Sequence, residues 1–131
     1  MGKTLKEIYN YEYINNPDTN LLKDINKLLN KTVNELDVHD VCVLIRQEMF
    51  LDTSVPKAIE LIKANHAAGD YYDYCLLVNL SKMESSLIKY KKELYELITI
   101  LESDYDKISF DLDSDKEDYL LAIKYIKNKI K

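Results

Sequence analysis

Along this chain apolar residues recur at intervals of three and four rather than two. Leu21, Leu22, Ile25, Leu28 and Leu29 fall on one face of a helix, and the same interval links Val38, Val41, Cys42, Ile45 and Met49, then Val55, Ala58, Ile59 and Ile62. Two longer stripes follow: Leu87, Tyr90, Leu94, Leu97, Ile98 and Leu101, then Tyr119, Leu120, Ile123, Ile126 and Ile130. Ser or Thr followed three residues later by Glu heads an apolar period at Thr4 and Glu7, Thr32 and Glu35, Ser81 and Glu84, and Ser114 and Glu117. Such a pair satisfies backbone donors reciprocally at a helix start. Pro56 follows Ser54 closely, which suits the first turn of a helix, and Gly69 after Ala67-Ala68 suits a left-handed helix stop.

The spacing predicts helices over 4–10, 18–30, 37–49, 54–66, 71–80, 82–103 and 114–130. The alternation Tyr9, Tyr11, Tyr13 has no partner strand in view and reads as an irregular leg laying its rings on the core. The expected fold is all-α: one compact domain over residues 1–131, with about six to seven helices joined by short loops.

Composition agrees. With only 2 Gly and 2 Pro, hairpins and bulges have little material to be built from. At 131 residues, 47% hydrophobic and 31% charged, the chain can bury one core. It shows no apolar stretch long enough for a signal peptide or a membrane span, so the expectation is a cytoplasmic protein with no membrane partner. Cys42 and Cys75, far apart in apolar surroundings, read as reduced core thiols. The net charge of -5 argues against direct binding of nucleic acid, which draws affinity from cationic side chains.

Candidate chemistry is thin. His39, Cys42, His66 and Cys75 permit a two-His, two-Cys metal site arithmetically, but His66 and Cys75 lack the short paired spacing of zinc sites, and no thiol-enzyme signature surrounds either Cys. Asp111, Asp113 and Asp115 copy the opening ligands of a calcium loop; Lys116 and Ala122 then occupy the glycine and bidentate-glutamate positions, so a helix-capping acidic loop is the better reading. Glycines at positions 2 and 69 cannot form a phosphate-cradling loop. No catalytic residue, metal or cofactor is expected.

Charge distribution is more informative. Glu102, Asp104, Asp106, Asp111, Asp113, Asp115, Glu117 and Asp118 are opposed in their segment only by Lys107 and Lys116, so this stretch carries more negative charge than the whole chain. It reads either as a solvated connector or as a surface that meets a basic cleft. Tyrosine is the second oddity, with 11 against 2 Phe and no Trp. Tyr90, Tyr119 and Tyr125 lie on or beside core stripes, whereas a helix through Tyr71, Tyr72 and Tyr74 cannot bury all three.

The middle of the chain resembles the helical immunity proteins of bacterial contact-dependent growth inhibition systems. The resemblance is carried by Leu36-Asp37-Val38-His39-Asp40-Val41, Leu44-Ile45-Arg46-Gln47, Val55-Pro56-Lys57-Ala58-Ile59-Glu60-Leu61, Gly69-Asp70-Tyr71-Tyr72 and Leu76-Leu77. Upstream, Thr4-Leu5, Glu7-Ile8, Pro17-Asp18 and Leu21-Leu22 fit the same opening, so about residues 4–80 are covered. Cys42 stands where Arg is usual, Glu48 where Gly is common, and Tyr74-Cys75 where Gly-Asp is usual. The matching positions read as fold determinants, with Asp70 expected to cap the next helix and Pro56 to start one.

The resemblance implies a cytoplasmic, non-enzymatic protein. It would bind and neutralise, as a heterodimer, the C-terminal toxin domain of its own system's effector, often a nuclease acting on tRNA or other RNA. The expected toxin-binding residues are Glu102, Asp104, Tyr105, Asp106, Asp111, Asp113 and Asp115, with Tyr71, Asp73 and Tyr74. A helical adaptor for another bacterial partner is the alternative, and a metal- or thiol-dependent enzyme is a weaker one.

Overall fold

The structure, a computed structural model, describes residues 2–84 and 87–131. Among these are seven α-helices: α1 (Leu5–Tyr9), α2 (Asn20–Leu29), α3 (Val38–Arg46), α4 (Leu51–Ala64), α5 (Cys75–Ser81), α6 (Lys91–Asp104) and α7 (Asp113–Lys129). Short 3-10 turns at Val33–Glu35, Ile88–Tyr90 and Tyr105–Lys107 connect them. The β-type pairing among the described residues is one isolated bridge between Thr4 and Thr32. The all-helical expectation holds.

The shortest of the later helices is the centre. In α5, Cys75, Leu76, Leu77, Val78, Leu80 and Ser81 are all buried, so it is apolar around its circumference and must be enclosed. It packs against α3, α4 and α7, while α6 closes the bundle against α4 and α7, and α2 lies on α3. Leu28, Leu44, Ile62, Leu76, Leu94 and Leu101 are fully buried, each contributing roughly 1.5–3 kcal/mol of transfer free energy.

Helix starts divide into those that local chemistry makes and those that packing makes. Thr4 and Glu7 form the expected reciprocal cap, with the Thr4 amide donating to Glu7 Oε1 at 3.0 Å and the Glu7 amide to Thr4 Oγ1 at 3.3 Å. Thr32 and Glu35 also form one, at the head of a 3-10 turn. The other two pairs do not cap. Ser81 ends α5, its hydroxyl donating to the Val78 carbonyl at 2.6 Å, and Ser114 lies inside α7, which starts after Leu112. An unanticipated cap heads α3, where Asp37 and Asp40 exchange backbone-to-carboxylate bonds of 2.9 and 3.1 Å.

Helix boundaries move for identifiable reasons. The helix predicted over 54–66 begins at Leu51, so Pro56 stands inside α4 rather than in its first turn. The predicted 37–49 helix ends at Arg46 because Glu48 takes a left-handed φ of 49°. The predicted 71–80 helix begins only at Cys75, after Tyr74 at φ 68°. The predicted 82–103 helix begins at Lys91; its residues 85 and 86 lie outside the described residues.

Gly69 is not a helix stop, since α4 ends at Ala64 and Gly69 has no positive φ. It is required by close approach: a Cβ there would lie 2.2 Å from the Tyr72 carbonyl oxygen and 2.6 Å from Cys75 Cβ. The tyrosine leg is irregular only beyond α1, which ends with Tyr9, and of its three rings that of Tyr9 packs on the core while Tyr11 and Tyr13 are exposed. Tyr9 stacks on Phe50 with centroids 4.1 Å apart, Tyr11 meets the same ring edge-on at 5.4 Å, and the Tyr13 hydroxyl donates to the Asn30 side chain.

Candidate functional site

The acidic segment is held by an aromatic cluster beneath it. Tyr119 of α7 is fully buried and its hydroxyl donates to the Leu101 carbonyl of α6 at 2.5 Å. Phe110, in the loop between those helices, lies 5.4 Å from the Tyr119 ring and 5.5 Å from Tyr74, while Tyr105 sits 6.0 Å from Phe110. Burial pushes the Tyr119 and Tyr74 phenols above the ordinary range, so both remain neutral donors. Ile108 and Phe110 of the loop are thereby turned inward, while Leu112 and most of the carboxylates face outward.

This arrangement sorts the expected docking residues. Glu102 is engaged by Lys127 at 2.6 Å, and Asp104 by His66 Nε2 at 2.8 Å and Lys107 at 3.7 Å. The His66 contact, then its charge and that of Lys107, hold the Asp104 carboxyl below its ordinary value. Tyr74 and Asp115 are each 6% exposed, and Tyr105 is half-buried with Lys116 5.9 Å above its ring. Tyr74 is thus a core residue of the cluster. Asp106, Asp111, Asp113 and Glu117 are exposed and have no cationic side chain within ion-pair distance among the described residues.

The turn before α5 lies beside this edge. After its own burial, the Tyr74 phenol is raised by Asp115, Asp73 and Asp111; Tyr72 is raised by burial, then Cys75 and Asp118. Exposed Tyr72 and exposed Asp73 therefore join the α7 carboxylates although some forty positions separate them, whereas exposed Tyr71 lies against Arg46 of α3, whose guanidinium carbon is 4.9 Å from its ring centroid. A shallow apolar extension runs between α5 and α7, lined by Leu121 and Tyr125, both partly exposed.

A second cluster converges on Asp70. Its carboxylate accepts from both terminal nitrogens of the Arg46 guanidinium at 3.0 and 2.8 Å and from the Cys75 thiol at 3.3 Å; His39 Nδ1 lies 3.0 Å away. Burial raises the Asp70 carboxyl, but Arg46, Cys75 and His39 together outweigh it and hold the group well below the carboxylate range. The Asp24 carboxylate, 3.0 Å from His39 Nε2, raises the His39 pKa against its partial burial, helped by Asp70. Asp70 does not cap α5, which starts five residues later behind Tyr74.

Donor atoms of Cys42, Asp70 and Cys75 lie within 4.8 Å of one another. Their chemistry does not suit a cation. The bidentate Arg46 already neutralises Asp70, and burial, with the charges of Asp70 and Cys75, pushes the Cys42 thiol up to about 12. Both thiols are buried, and His66 is committed elsewhere, bonded to the Ile62 carbonyl at 2.6 Å as well as to Asp104. The cluster is an ion-paired staple. Sequence reading took Asp70 as a helix cap and did not see the pairing, whose signal was the joint presence of His39, Arg46 and Asp70 in the quoted segments.

No significant match to a curated protein or to a solved structure was found. The family model of the CDI immunity proteins matches residues 7–98, which runs from α1 into the middle of α6 and takes in every residue of the Asp70 staple. With most of its length matched, and with three of the segments that carried the resemblance meeting at the Asp70 carboxylate, this chain belongs to the family of CDI immunity proteins, whose members neutralise toxins without catalysis.

Proposed function

We propose that this immunity protein neutralises the C-terminal domain of its own system's effector, a basic RNA-cleaving nuclease. It would do so by laying the acidic, aromatic edge at the start of α7 over the cleft that receives RNA. The observation that carries the reading is the juxtaposition of Asp106, Asp111, Asp113 and Glu117, none of them spent on an internal ion pair among the described residues, with Tyr72 and Asp73. Carboxylates displayed outward offer a cationic cleft the charge pattern of a polyanion and speed encounter. Exposed Tyr72 adds contact area at small entropic cost, and Tyr71, one face of which is covered by Arg46, extends the exposed aromatic surface. Glu102, Asp104, Asp115 and Tyr74 are occupied or enclosed and support the edge rather than meet the partner.

The family match ends at residue 98, so the acidic loop and α7 lie beyond the matched region. A partner-specific surface outside the common scaffold fits an inhibitor that must recognise one toxin. Stopped-flow mixing with the toxin domain encoded beside this chain tests the proposal. The triple variant Asp106→Asn, Asp111→Asn, Asp113→Asn should associate roughly tenfold more slowly and show a shallower salt dependence. Tyr71→Ala should act mainly on dissociation. Association rates unchanged by the triple variant would remove this edge from the interface.

A further inference from the structure

Along the α6–α7 hairpin, away from the acidic loop, runs a groove of about 330 Å³, with Tyr95, Ile98 and Ile130 in its lining, Lys91 and Lys131 at one end, and the paired Lys127 and Glu102 toward the other. Tyr95 is 67% exposed although it belongs to a well-packed helix. Lys127 is paired with Glu102, whereas Lys91 and Lys131 have no carboxylate within ion-pair distance among the described residues.

Helix stability does not explain the charges of α6. Lys91 and Lys92 stand in its first turn and Glu102 and Asp104 in its last, the reverse of what the helix dipole favours. In α7 the order follows the dipole, with Asp113 and Asp115 first and Lys127 and Lys129 last. The two helices are joined by one loop and run in opposite directions, which brings Lys91 to the same end of the hairpin as Lys131, although Glu93 and Glu96 share that end of α6 and Lys127 reaches along the hairpin to Glu102.

The same chain carries a segment that complements this groove. Leu112 is 61% exposed at the tip of the acidic loop and is flanked by exposed Asp111 and Asp113, an apolar side chain between two carboxylates. Its own groove is out of reach, since the 17 residues of α7 hold the two ends about 25 Å apart. We infer that a second copy of this chain docks here head to tail, with Leu112 seated between Tyr95 and Ile130 and with Asp111 and Asp113 facing Lys91 and Lys131. The two patches lie far apart on one molecule, so the contact is heterologous and builds open chains. The contact is small and therefore weak and reversible. Net repulsion between copies is screened beyond about 8 Å at physiological ionic strength, which leaves the facing ends to decide.

Sedimentation equilibrium of the full chain alone tests this without toxin, so the outcome is separate from that of the toxin reading. The weight-average mass should climb with concentration. A loop variant, Asp111→Lys with Asp113→Lys, and a groove variant, Lys91→Glu with Lys131→Glu, should each self-associate about tenfold or more weakly. Mixed together they should associate again, because each supplies the end the other has lost. The neutral versions, Asp111→Asn with Asp113→Asn and Lys91→Gln with Lys131→Gln, should weaken association in the same order, and circular dichroism reads whether each variant is folded. A wild-type chain that stays monomeric throughout, or variants that associate as it does, would overturn the inference. So would binding of poly-aspartate as tightly as a peptide of residues 108–116, which would assign the groove to acidic ligands at large.

Discussion

The Asp70 carboxylate takes both arms of the Arg46 guanidinium, the Cys75 thiol and a contact from His39, so neutralising it strands a half-buried cation on α3. Breaking such a pair from one side costs more than the pair contributes, and Asp70→Asn should lower unfolding free energy by roughly 3 kcal/mol, read by urea titration. The pH dependence follows from the same contacts. Asp70, depressed below its ordinary 3.8, contributes stability that is present above that value and lost as pH falls toward its folded pKa. His39, raised above its ordinary 6.5, contributes stability that is full below that value and lost as pH rises through its folded pKa. Melting temperature should therefore decline on both sides of a mildly acidic plateau, and His39→Gln should flatten the alkaline limb alone. Beside this staple, Gly69→Ala should cost about 3 kcal/mol, because the added Cβ meets the Tyr72 carbonyl and Cys75, neither of which can swing aside.

At the scale of elements, the departures from the family pattern become intelligible. Glu48 and Tyr74 stand where glycine is usual in the proteins this chain resembles, and both adopt left-handed backbone, at φ 49° and 68°. The demand for a sharp turn at the end of α3 and before α5 is thus met at a conformational cost of about 1–2 kcal/mol each. Tyr74 offsets its share by burying its ring against Phe110 and Tyr119. Pro56, exposed inside α4, donates nothing to the carbonyl of Asp52 four residues earlier. Pro56→Ala should raise stability on the order of 1 kcal/mol, the new helical bond being partly offset by a freer unfolded chain, and differential scanning calorimetry reads the shift. Apolar spacing located α2, α3, α4, α6 and α7, while α1 was marked by its cap and the ends of several helices depended on left-handed residues and close approaches that no period encodes.

For the whole molecule, scaffold and docking edge are separable. The Asp70 staple ties α3 and the turn before α5 together inside the matched region, and the carboxylates proposed to meet the toxin, Asp73 apart, stand outward beyond it. The Asp106→Asn, Asp111→Asn, Asp113→Asn protein should accordingly unfold within about 0.5 kcal/mol of the parent even as toxin association slows, since exposed, unpaired charges contribute little to stability. A comparable loss in both measurements would show that the loop is structural. The described helices include none long and apolar enough to cross a membrane.

The sequence by itself determined the helical class, the reciprocal caps at Thr4 and Thr32, the apolar stripes and the concentration of acid between Glu102 and Asp118, because each depends on residues within a few positions of one another. It also contained the segments that mark the family. Tertiary structure alone decided which carboxylates remain available, since the partners that remove Asp104 and Glu102 are His66, in the turn after α4, and Lys127 of α7. It likewise made Asp70 the centre of a staple instead of a cap. Ion pairing and burial depend on distances in space between residues far apart along the chain, and those distances exist only after the helices have packed.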